Sequence, residues 1–522
     1  MPPLTTLLDS SGPATLKKAE SMALAKHLSA ALKLDVAPAS LAIENGRILA
    51  VARREGERVV CVLARDAKSL SAFQGKKAAA TLDGVTLAAI LGEADHANAL
   101  AVRASFGFAK TRVIGLKKSF GFGDRLGLAT PGHIDAVRGT SLAPIFTQQS
   151  MREMARTGRT PDDVMDDAMW SVVECGWRDL HGSDADHLKT TGDEDVCLAA
   201  GFTLFTVDPG AHVDGAADTD VPGTLAAKFI TLPWSGLETT MDDLGRRFLA
   251  SPVKVGPNLT IAFNEQTLRR AAVKYAKAVL HTASMYRHLA SKRPAGEFEL
   301  EVSVDETDTP TSVAEHYYIA SELKRLGVKW SSLAPRFVGR FEKGVDFIGD
   351  LKEFERALVG HVEIAKAVGP YKLSLHSGSD KFSVYPALAK HAGDLVHVKT
   401  AGTSYLEALR VIASLDPALF REILEFGIGR YAEDKKTYHV SADLAKVPRP
   451  QAIKDKDLPK SLDRFDDRQV LHVTYGSVLM TTDAAGKPLF RDRLMTALRG
   501  NPEAYAKALK KHFAKHVGPF SS

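Results

Sequence analysis

The chain has few of the features that mark secreted, membrane-spanning or disulfide-rich proteins. It contains only three cysteines in 522 residues, Cys61, Cys175 and Cys197, and none of them forms a CxxC pair. An odd and small number of cysteines poorly suits a disulfide framework and favours a reducing compartment. No stretch approaches the roughly 20 apolar residues of a membrane helix, and the first residues lack the basic and apolar segments of a secretory signal. The sequence therefore predicts a cytoplasmic protein with no membrane partner.

A strong excess of charge of one sign is also missing. The chain carries 68 basic and 63 acidic residues, a formal net charge of +5. The basic residues are dispersed, apart from a C-terminal group that fits the solvated face of an amphipathic helix: Lys507, Lys510, Lys511 and Lys515. A nucleic-acid-binding protein concentrates its positive charge on one face, so no nucleic-acid partner is expected. The mild surplus fits a small anionic substrate, and the 45% of apolar residues is ordinary for a globular protein.

The first part of the chain reads as a small accessory unit. Residues 16–33 have helical spacing, and the residues that follow alternate between apolar and polar. Asn45-Gly46 stands between two alternating runs, which is a strong hairpin signal. We therefore expect an accessory α+β domain over residues 1–114.

From residue 115 onward, short apolar runs end in polar residues and alternate with helical patterns. The runs are 117–124, 183–190, 202–210, 298–307, 330–339, 371–380, 394–402 and 437–443. Strands that alternate with helices favour a parallel sheet. The pattern predicts a (β/α)8 barrel of the TIM type over 115–445, with an open doubly wound sheet as the alternative. An insert at about 211–260 is expected beside or over the barrel mouth, and a C-terminal extension, 446–522, is expected to add a strand at 468–480 and a helix.

In such a barrel the active-site residues follow the carboxyl ends of the strands. His187, His376 and His397 end three of the runs and predict a site for Zn²⁺, Mn²⁺ or a similar divalent metal, because neutral imidazoles suit these ions. Asp186, Glu306 and Asp380 are the substitutes if one histidine is not a ligand. Two carboxylates on opposite walls can act as a base and an acid, and Asp186 and Glu306 are predicted in those roles.

Cations gather near the same strand ends and indicate an anionic substrate. A planar guanidinium recognises a carboxylate well. The residues predicted to bind substrate are Lys189, Arg336, Lys343, Ser377, Asp380, Lys399 and Thr400. The glycine-rich run at 119–133 has the spacing GxGxxxG, which differs from the dinucleotide fingerprint GxGxxG, so no NAD is expected.

Several of these segments together resemble the tagaturonate epimerases, a family of hexuronate C4 epimerases. The matching segments are SFGFGDRLGLATPGH (119–133), SDADHLKT (183–190), VSVDETDTPTS (302–312), SLAPRFVGRFEKGVDFIGD (332–350), LHSGSDKFSVYP (375–386) and HVKTAGTSYLEALR (397–410). The resemblance implies metal-dependent interconversion of tagaturonate and fructuronate. It also implies that the family's acidic and histidine positions fall on Asp186, His187, Glu306, His376 and His397.

The C4 hydrogen of a 2-keto sugar is β to the ketone and is not acidic, so simple deprotonation is excluded. Retro-aldol cleavage of C3–C4 followed by re-addition is the favoured route, and hydride transfer through NAD is the alternative. Two rival functions remain at this point: a metal-dependent aldolase or isomerase of another sugar acid, and a non-catalytic sugar-acid-binding protein. The sequence leaves the native metal, the exact uronate and the oligomeric state open.

Overall fold

The computed structural model describes residues 4–9, 12–54, 56–257 and 259–521. Residues 1–3, 10–11 and 55 of the predicted N-terminal domain, residue 258 of the predicted insert and residue 522 lie outside this description. The predicted domain boundaries at 114 and 445 stay predictions.

An antiparallel sheet forms the N-terminal unit. Its strands are β1 (Asp35–Val36), β2 (Ala42–Glu44), β3 (Arg47–Arg54), β4 (Glu57–Ala64), β5 (Lys76–Leu82) and β6 (Val85–Glu93), and its helices are α1 (Leu4–Leu8), α2 (Lys18–Leu32) and α3 (His96–Ser105). The strand order is β1-β3-β4-β6-β5, with β2 paired to β3. Asn45 (φ 51°) and Gly46 (φ 72°) make the predicted turn between β2 and β3.

Both faces of this sheet are covered. Successive side chains of a strand point to opposite faces, so Ile48 and Ala50 pack with α1 and α2. Leu49 and Val51 pack on the other face with Trp170, which belongs to a barrel helix. The N-terminal sheet therefore packs against its own helices on one face and against the barrel on the other.

Eight parallel strands close into the predicted barrel. In chain order the remaining strands are β7 (Ser119–Gly123), β8 (Ala143–Ser150), β9 (Gly182–Leu188), β10 (Leu204–Val207), β11 (Val253–Lys254), β12 (Thr260–Ile261), β13 (Glu299–Ser303), β14 (Ser332–Ala334), β15 (Lys372–Leu375) and β16 (Val396–Thr400). The barrel order is β10-β13-β14-β15-β16-β7-β8-β9, while β11 and β12 pair only with each other. The predicted (β/α)8 architecture is confirmed, and the open sheet is excluded.

Helices surround the barrel and extend it at the C-terminus. They are α4 (Thr130–Val137), α5 (Met151–Thr157), α6 (Pro161–Glu174), α7 (Thr191–Ala200), α8 (Pro222–Ile230), α9 (Met241–Leu249), α10 (Glu265–Lys292), α11 (Val313–Arg325), α12 (Leu351–Val368), α13 (Tyr385–Ala392), α14 (Thr403–Leu415), α15 (Pro417–Asp434), α16 (Phe465–Val473), α17 (Tyr475–Met480), α18 (Arg491–Arg499) and α19 (Pro502–Val517). Helices α8 and α9 of the insert pack against α10, and α19 packs on α4 and α14. Among the described helices, none combines the length and the apolar character that a membrane crossing requires.

Two strand predictions were wrong in position. The second barrel strand is β8, which the runs omitted, and residues 437–443 form no strand. Only the first half of β8 is apolar, and its second half, residues 147–150, is the polar run TQQS, so the strand did not stand out in the sequence. The expected strand at 468–480 is also wrong, since these residues lie in α16 and α17. Strand β16 already pairs with β7, so the closed barrel offers no free edge to a further strand.

The segment after α6 joins the barrel to the N-terminal unit. Arg178 donates hydrogen bonds to the carbonyl oxygens of Ala39, Ser40 and Leu41, and its guanidinium lies 3.8 Å from the ring centroid of Phe108. Gly176 has a φ of +67°, and a Cβ there would lie 2.5 Å from the carbonyl oxygen of Ala39.

We expect Gly176→Ala to lower the melting temperature more than Gly84→Ala does. Both glycines have left-handed backbones, which cost an L side chain about 1–2 kcal/mol. Gly84 (φ +79°) has nothing within 4 Å of its added Cβ, whereas the Cβ at position 176 meets the backbone of the N-terminal unit. Differential scanning calorimetry of the two variants isolates this contact. Equal decreases in the melting temperatures of the two variants would show that the contact between the added Cβ at position 176 and the Ala39 backbone has no effect on stability.

Candidate active site

A polar cavity lies at the carboxyl ends of the barrel strands. Its volume is about 550 Å³, including its mouth. The lining side chains that follow barrel strands include Arg152 after β8, Glu306 after β13 and Ser377 after β15. This is the edge at which barrel enzymes assemble their catalytic groups.

The ammonium of Lys399 forms ion pairs with three carboxylates at the floor of the cavity. Its Nζ lies 2.7 Å from Asp184 Oδ2, 2.7 Å from Asp186 Oδ1 and 2.8 Å from Glu301 Oε1. Asp184 and Asp186 both point inward because alternate residues of β9 share a face. Burial alone would lower the pKa of Lys399, but the three carboxylates hold it well above its usual value. Lys399 lines the cavity and its ammonium is paired with the protein's own carboxylates, and its predicted contact with substrate stays a prediction.

His187 stands above this floor with one ring nitrogen bound. Its Nδ1 lies 2.8 Å from Asp186 Oδ1, and its backbone adopts a φ of 55°. Its Nε2 is buried and has no hydrogen-bond partner among the described residues, although Asp305 Oδ1 is 3.5 Å away and Glu306 Oε1 is 3.9 Å away. Burial lowers the pKa of His187, but Asp186 and Glu306 together raise it well above its usual value.

His376 faces His187, with 5.1 Å between the ring centroids. Its Nε2 lies 2.5 Å from Glu301 Oε1 and its Nδ1 lies 3.0 Å from Asp305 Oδ1. Burial works against its charged form, yet the two carboxylates raise the pKa of His376 to about 9. One oxygen of Asp305 thus approaches both imidazoles.

The predicted third histidine ligand lies apart from this pair. His397 stands two residues before Lys399 on β16, nearer the amino end of the strand, and its Nδ1 is 3.0 Å from Ser119 Oγ. Burial lowers the pKa of His397 to about 3. Asp186, His187 and His376 form one group whose possible ligand atoms all lie within 4.8 Å of one another. His397 belongs to no such group in the part of the chain that the structure describes.

The composition of this cluster fits a divalent cation. The carboxylates gathered here are Asp184, Asp186, Glu301, Asp305 and Glu306. The ammonium of Lys399, the guanidinium of Arg152 and the imidazoles of His187 and His376, whose pKa values are raised, together offset most of this negative charge. The unpaired Nε2 of His187 could serve as a ligand atom for a divalent cation, and its Nδ1 contact with Asp186 resembles the carboxylate–imidazole arrangement that orients metal-bound histidines.

Arg152 and Lys343 also line the cavity, and their partners differ. Arg152 Nη2 lies 2.8 Å from Glu306 Oε1. Burial raises the pKa of Glu306, but His187, Lys343 and Arg152 lower it to about 2. Lys343 Nζ donates to Ser377 Oγ at 2.7 Å and, within the described ranges, has no carboxylate oxygen within 4.0 Å. Lys343 is thus the better placed of the two to receive an anionic ligand.

Four predicted substrate contacts do not line the cavity. Lys189 is exposed and lies 3.4 Å from Asp208 Oδ2. Arg336 donates to the carbonyl oxygen of Asp305, and Thr400 donates to that of Gly121. The fourth, Asp380, pairs with Arg468 at 2.7 Å and His512 at 2.6 Å. Asp380 forms a second acid and imidazole group with His512 and His516, but the Arg468 guanidinium already balances its carboxylate.

Other lining residues were missed by the sequence analysis. They are Arg125, Gln148, Ser150, Arg152, Glu153, Tyr438 and His472. The polar triplet at 148–150 was the available signal, because it follows an apolar run in the same way as the other barrel strands do.

The closed barrel and the charged cavity at its carboxyl edge define a barrel enzyme. A family model described as tagaturonate epimerase matches residues 38–519. A curated relative from Thermotoga maritima, named tagaturonate/fructuronate epimerase, is 42% identical over 479 residues, which cover 91% of this chain and 92% of the relative.

Solved structures agree with this relationship. A glycerol-complexed crystal structure of fructuronate-tagaturonate epimerase UxaE from Cohnella laeviribosi has a TM-score of 0.87 at 34% identity and covers 96% of this chain and 99% of that chain. The native crystal structure of the same enzyme has a TM-score of 0.86 with the same identity and coverage. The chain belongs to the tagaturonate epimerase family and is an isomerase.

We expect Lys399→Met to destabilise the protein strongly, because it leaves three buried carboxylates without their ammonium. Breaking a buried ion pair from one side costs about 3–5 kcal/mol. Thr400→Val, the control, removes one hydrogen bond to Gly121 and should cost about 1 kcal/mol. Thermal unfolding of both variants measures the difference. A melting temperature of Lys399→Met no lower than that of the control would contradict the role of Lys399.

Proposed function

We propose that this chain interconverts tagaturonate and fructuronate by inverting C4 with the help of a divalent cation. The observation that carries the proposal is the buried cluster of carboxylates and imidazoles that faces the cavity beside Lys343. The substrate pair is inferred from the chain's membership of the tagaturonate epimerase family and from the name of the 42% identical relative.

The chemistry favours cleavage and re-formation of a carbon–carbon bond. With the ketone at C2 and the carboxylate at C6, a base takes the proton of the C4 hydroxyl and C4 becomes an aldehyde. The electron pair of the C3–C4 bond moves into an enediolate across C2 and C3. The aldehyde then turns, and C3 adds to its opposite face while an acid returns a proton to the C4 oxygen. Atoms and electrons balance without an external oxidant.

Two carboxylates of this chain are proposed to move that proton. Asp186 and Glu306 both line the cavity and lie at opposite edges of the His187 ring, with Asp186 beside Nδ1 and Glu306 nearer Nε2. A group on each side is required because the C4 oxygen changes face during the reaction. Asp186 takes the proton on one face, the proton passes from Asp186 to the Glu306 carboxylate while the aldehyde turns, and Glu306 returns it on the other face.

The cation would be held by His187 and His376 together with Asp305. Asp305 Oδ1 lies 3.5 Å from Nε2 of His187 and 3.0 Å from Nδ1 of His376. Asp305 does not line the cavity, which leaves the lining carboxylates to the proton transfers. When bound, a divalent cation supplies Lewis-acid stabilisation of negative charge on a substrate oxygen.

Lys343 and Ser377 are proposed to hold the substrate carboxylate. Their side chains form a hydrogen-bonded pair, 2.7 Å apart, and both residues line the cavity. The ammonium has no carboxylate oxygen within 4.0 Å among the described residues, so an incoming carboxylate can approach it directly.

The first experiment is a turnover assay. The protein is stripped with a chelator, supplied with Zn²⁺, Mn²⁺ or no metal, and offered tagaturonate. We expect fructuronate only when metal is present, and a loss of at least about 100-fold in kcat in Asp186→Asn and Glu306→Gln, as general acid–base groups contribute that much. Lys189→Met, which changes an exposed lysine outside the cavity, should retain activity.

Three other results would contradict the proposal. Undiminished conversion after stripping would remove the metal from the account. Accumulation of three-carbon products would indicate an aldolase. Binding of tagaturonate without conversion would indicate a sugar-acid-binding protein.

An isotope experiment tests the bond that breaks. The retro-aldol route never breaks the bond between C4 and its hydrogen. We therefore expect [4-²H]tagaturonate to give fructuronate that keeps all its deuterium, with no large primary isotope effect on kcat. Mass spectrometry of the product and the ratio of rates measure both quantities. Loss of deuterium to water would indicate deprotonation, and a large primary effect would indicate hydride transfer.

A further inference from the structure

The side-chain amide of Gln148 lines the cavity without using its hydrogen-bonding capacity. Gln148 lies in the polar half of β8 and is 1% exposed. Neither its Oε1 nor its Nε2 has a hydrogen-bond partner among the residues that the structure describes. Leaving a buried polar atom unpaired is unfavourable, so a ligand that pairs both atoms gains binding energy from this position.

The neighbouring residue shows why the position matters. Gln149 is 0% exposed, and its amide atoms are likewise unpaired within the described chain. Successive strand residues point to opposite faces, and Gln149 is not among the residues that line the cavity. The two residues therefore share type, burial and strand, and only Gln148 is placed to meet a ligand.

We propose that the amide of Gln148 binds two adjacent hydroxyl groups of the polyol part of the substrate. This inference rests on the proposed function for the identity of the whole substrate. An amide presents one acceptor and one donor side by side, and a vicinal diol offers the matching donor and acceptor. A carboxylate offers only acceptors, so it would pair with Nε2 and be repelled by Oε1. The carboxylate instead meets Lys343, whose ammonium lines the same cavity.

A glycine makes room for this amide. Gly121 lies on β7, next to β8, and a Cβ at Gly121 would overlap Oε1 of Gln148. The overlapping atom is the end of a flexible side chain, so an alanine at position 121 should displace the amide without disrupting the barrel. Gly121 therefore provides an independent way to move the amide while its chemistry is kept.

The test uses two partial ligands on the metal-loaded full chain. Xylitol carries adjacent hydroxyls and no charge, and malonate carries carboxylates and no hydroxyl. Their inhibition constants are measured against tagaturonate turnover, and their binding is followed in parallel by ligand-observed NMR. The NMR arm reports on Gln148 even if tagaturonate is not turned over, so the two proposals fail separately.

We expect Gln148→Leu to raise the inhibition constant of xylitol about 10- to 100-fold, which corresponds to losing the hydrogen bonds to a buried amide. The inhibition constant of malonate should stay within about twofold of its value for the wild-type chain. Lys343→Met should give the reverse pattern, and Gln149→Leu, the matched control, should change neither constant. Leucine has a similar volume and removes both unpaired atoms, so the melting temperature of Gln148→Leu should not fall.

Gly121→Ala should reproduce the effect of Gln148→Leu on xylitol. In a Gln148→Ala background the same substitution should have no further effect, because the shorter side chain leaves nothing to displace. The proposal is overturned if xylitol does not bind the wild-type chain, if Gln148→Leu leaves its binding unchanged, or if xylitol and malonate weaken equally.

Discussion

The contact of the Lys399 ammonium with Asp184, Asp186 and Glu301 is the interaction on which the site depends. Three strands meet there, since Lys399 is on β16, the two aspartates are on β9 and Glu301 is on β13. Carboxylates are expensive to bury without a counter-charge. The ammonium allows the barrel to hold acids on its axis, and those acids in turn orient the two imidazoles above them.

The same acids give the cavity its polarity. Asp186 fixes one nitrogen of His187, and Glu301 and Asp305 take both nitrogens of His376. Carboxylates and imidazoles make up this part of the cavity, whereas Lys343 brings an ammonium with no carboxylate oxygen within 4.0 Å among the described residues. A substrate with a ketone near one end and a carboxylate at the other matches this asymmetry. The unpaired amide of Gln148 adds hydrogen-bonding capacity for the hydroxyls between those ends.

Much of this arrangement could be predicted from the sequence. Apolar runs that end in reactive residues identified most barrel strands, and the cavity contains Asp186, His187, Glu306, Lys343, His376, Ser377 and Lys399 as expected. The pattern failed where a strand was itself polar. The second half of β8 is polar, with Gln148 and Ser150 lining the cavity, so β8 did not read as a buried strand, and Gln148 and Arg152 were missed with it. Arg125 was missed although the run of β7 before it was identified.

Depth along a strand and the pairing of charges could not be read from the sequence either. His397 and Lys399 are two residues apart on the same inward face of β16, and that difference separates the histidine from the imidazole pair. Arg336, Asp380 and Thr400 follow strand ends as predicted, yet each is engaged by other parts of the chain. Such partners come from segments far apart in sequence, which single runs do not reveal.

The most direct test of the central claim is the metal stoichiometry of the chain. The account predicts that the buried cluster of carboxylates and imidazoles binds one divalent ion per chain, measured by native mass spectrometry after dialysis against Zn²⁺ or Mn²⁺. His187→Ala and Asp305→Asn should lose that ion, while His397→Leu should keep it. A protein that binds no ion, or a His187→Ala variant that binds it as tightly as the wild type, would contradict the account.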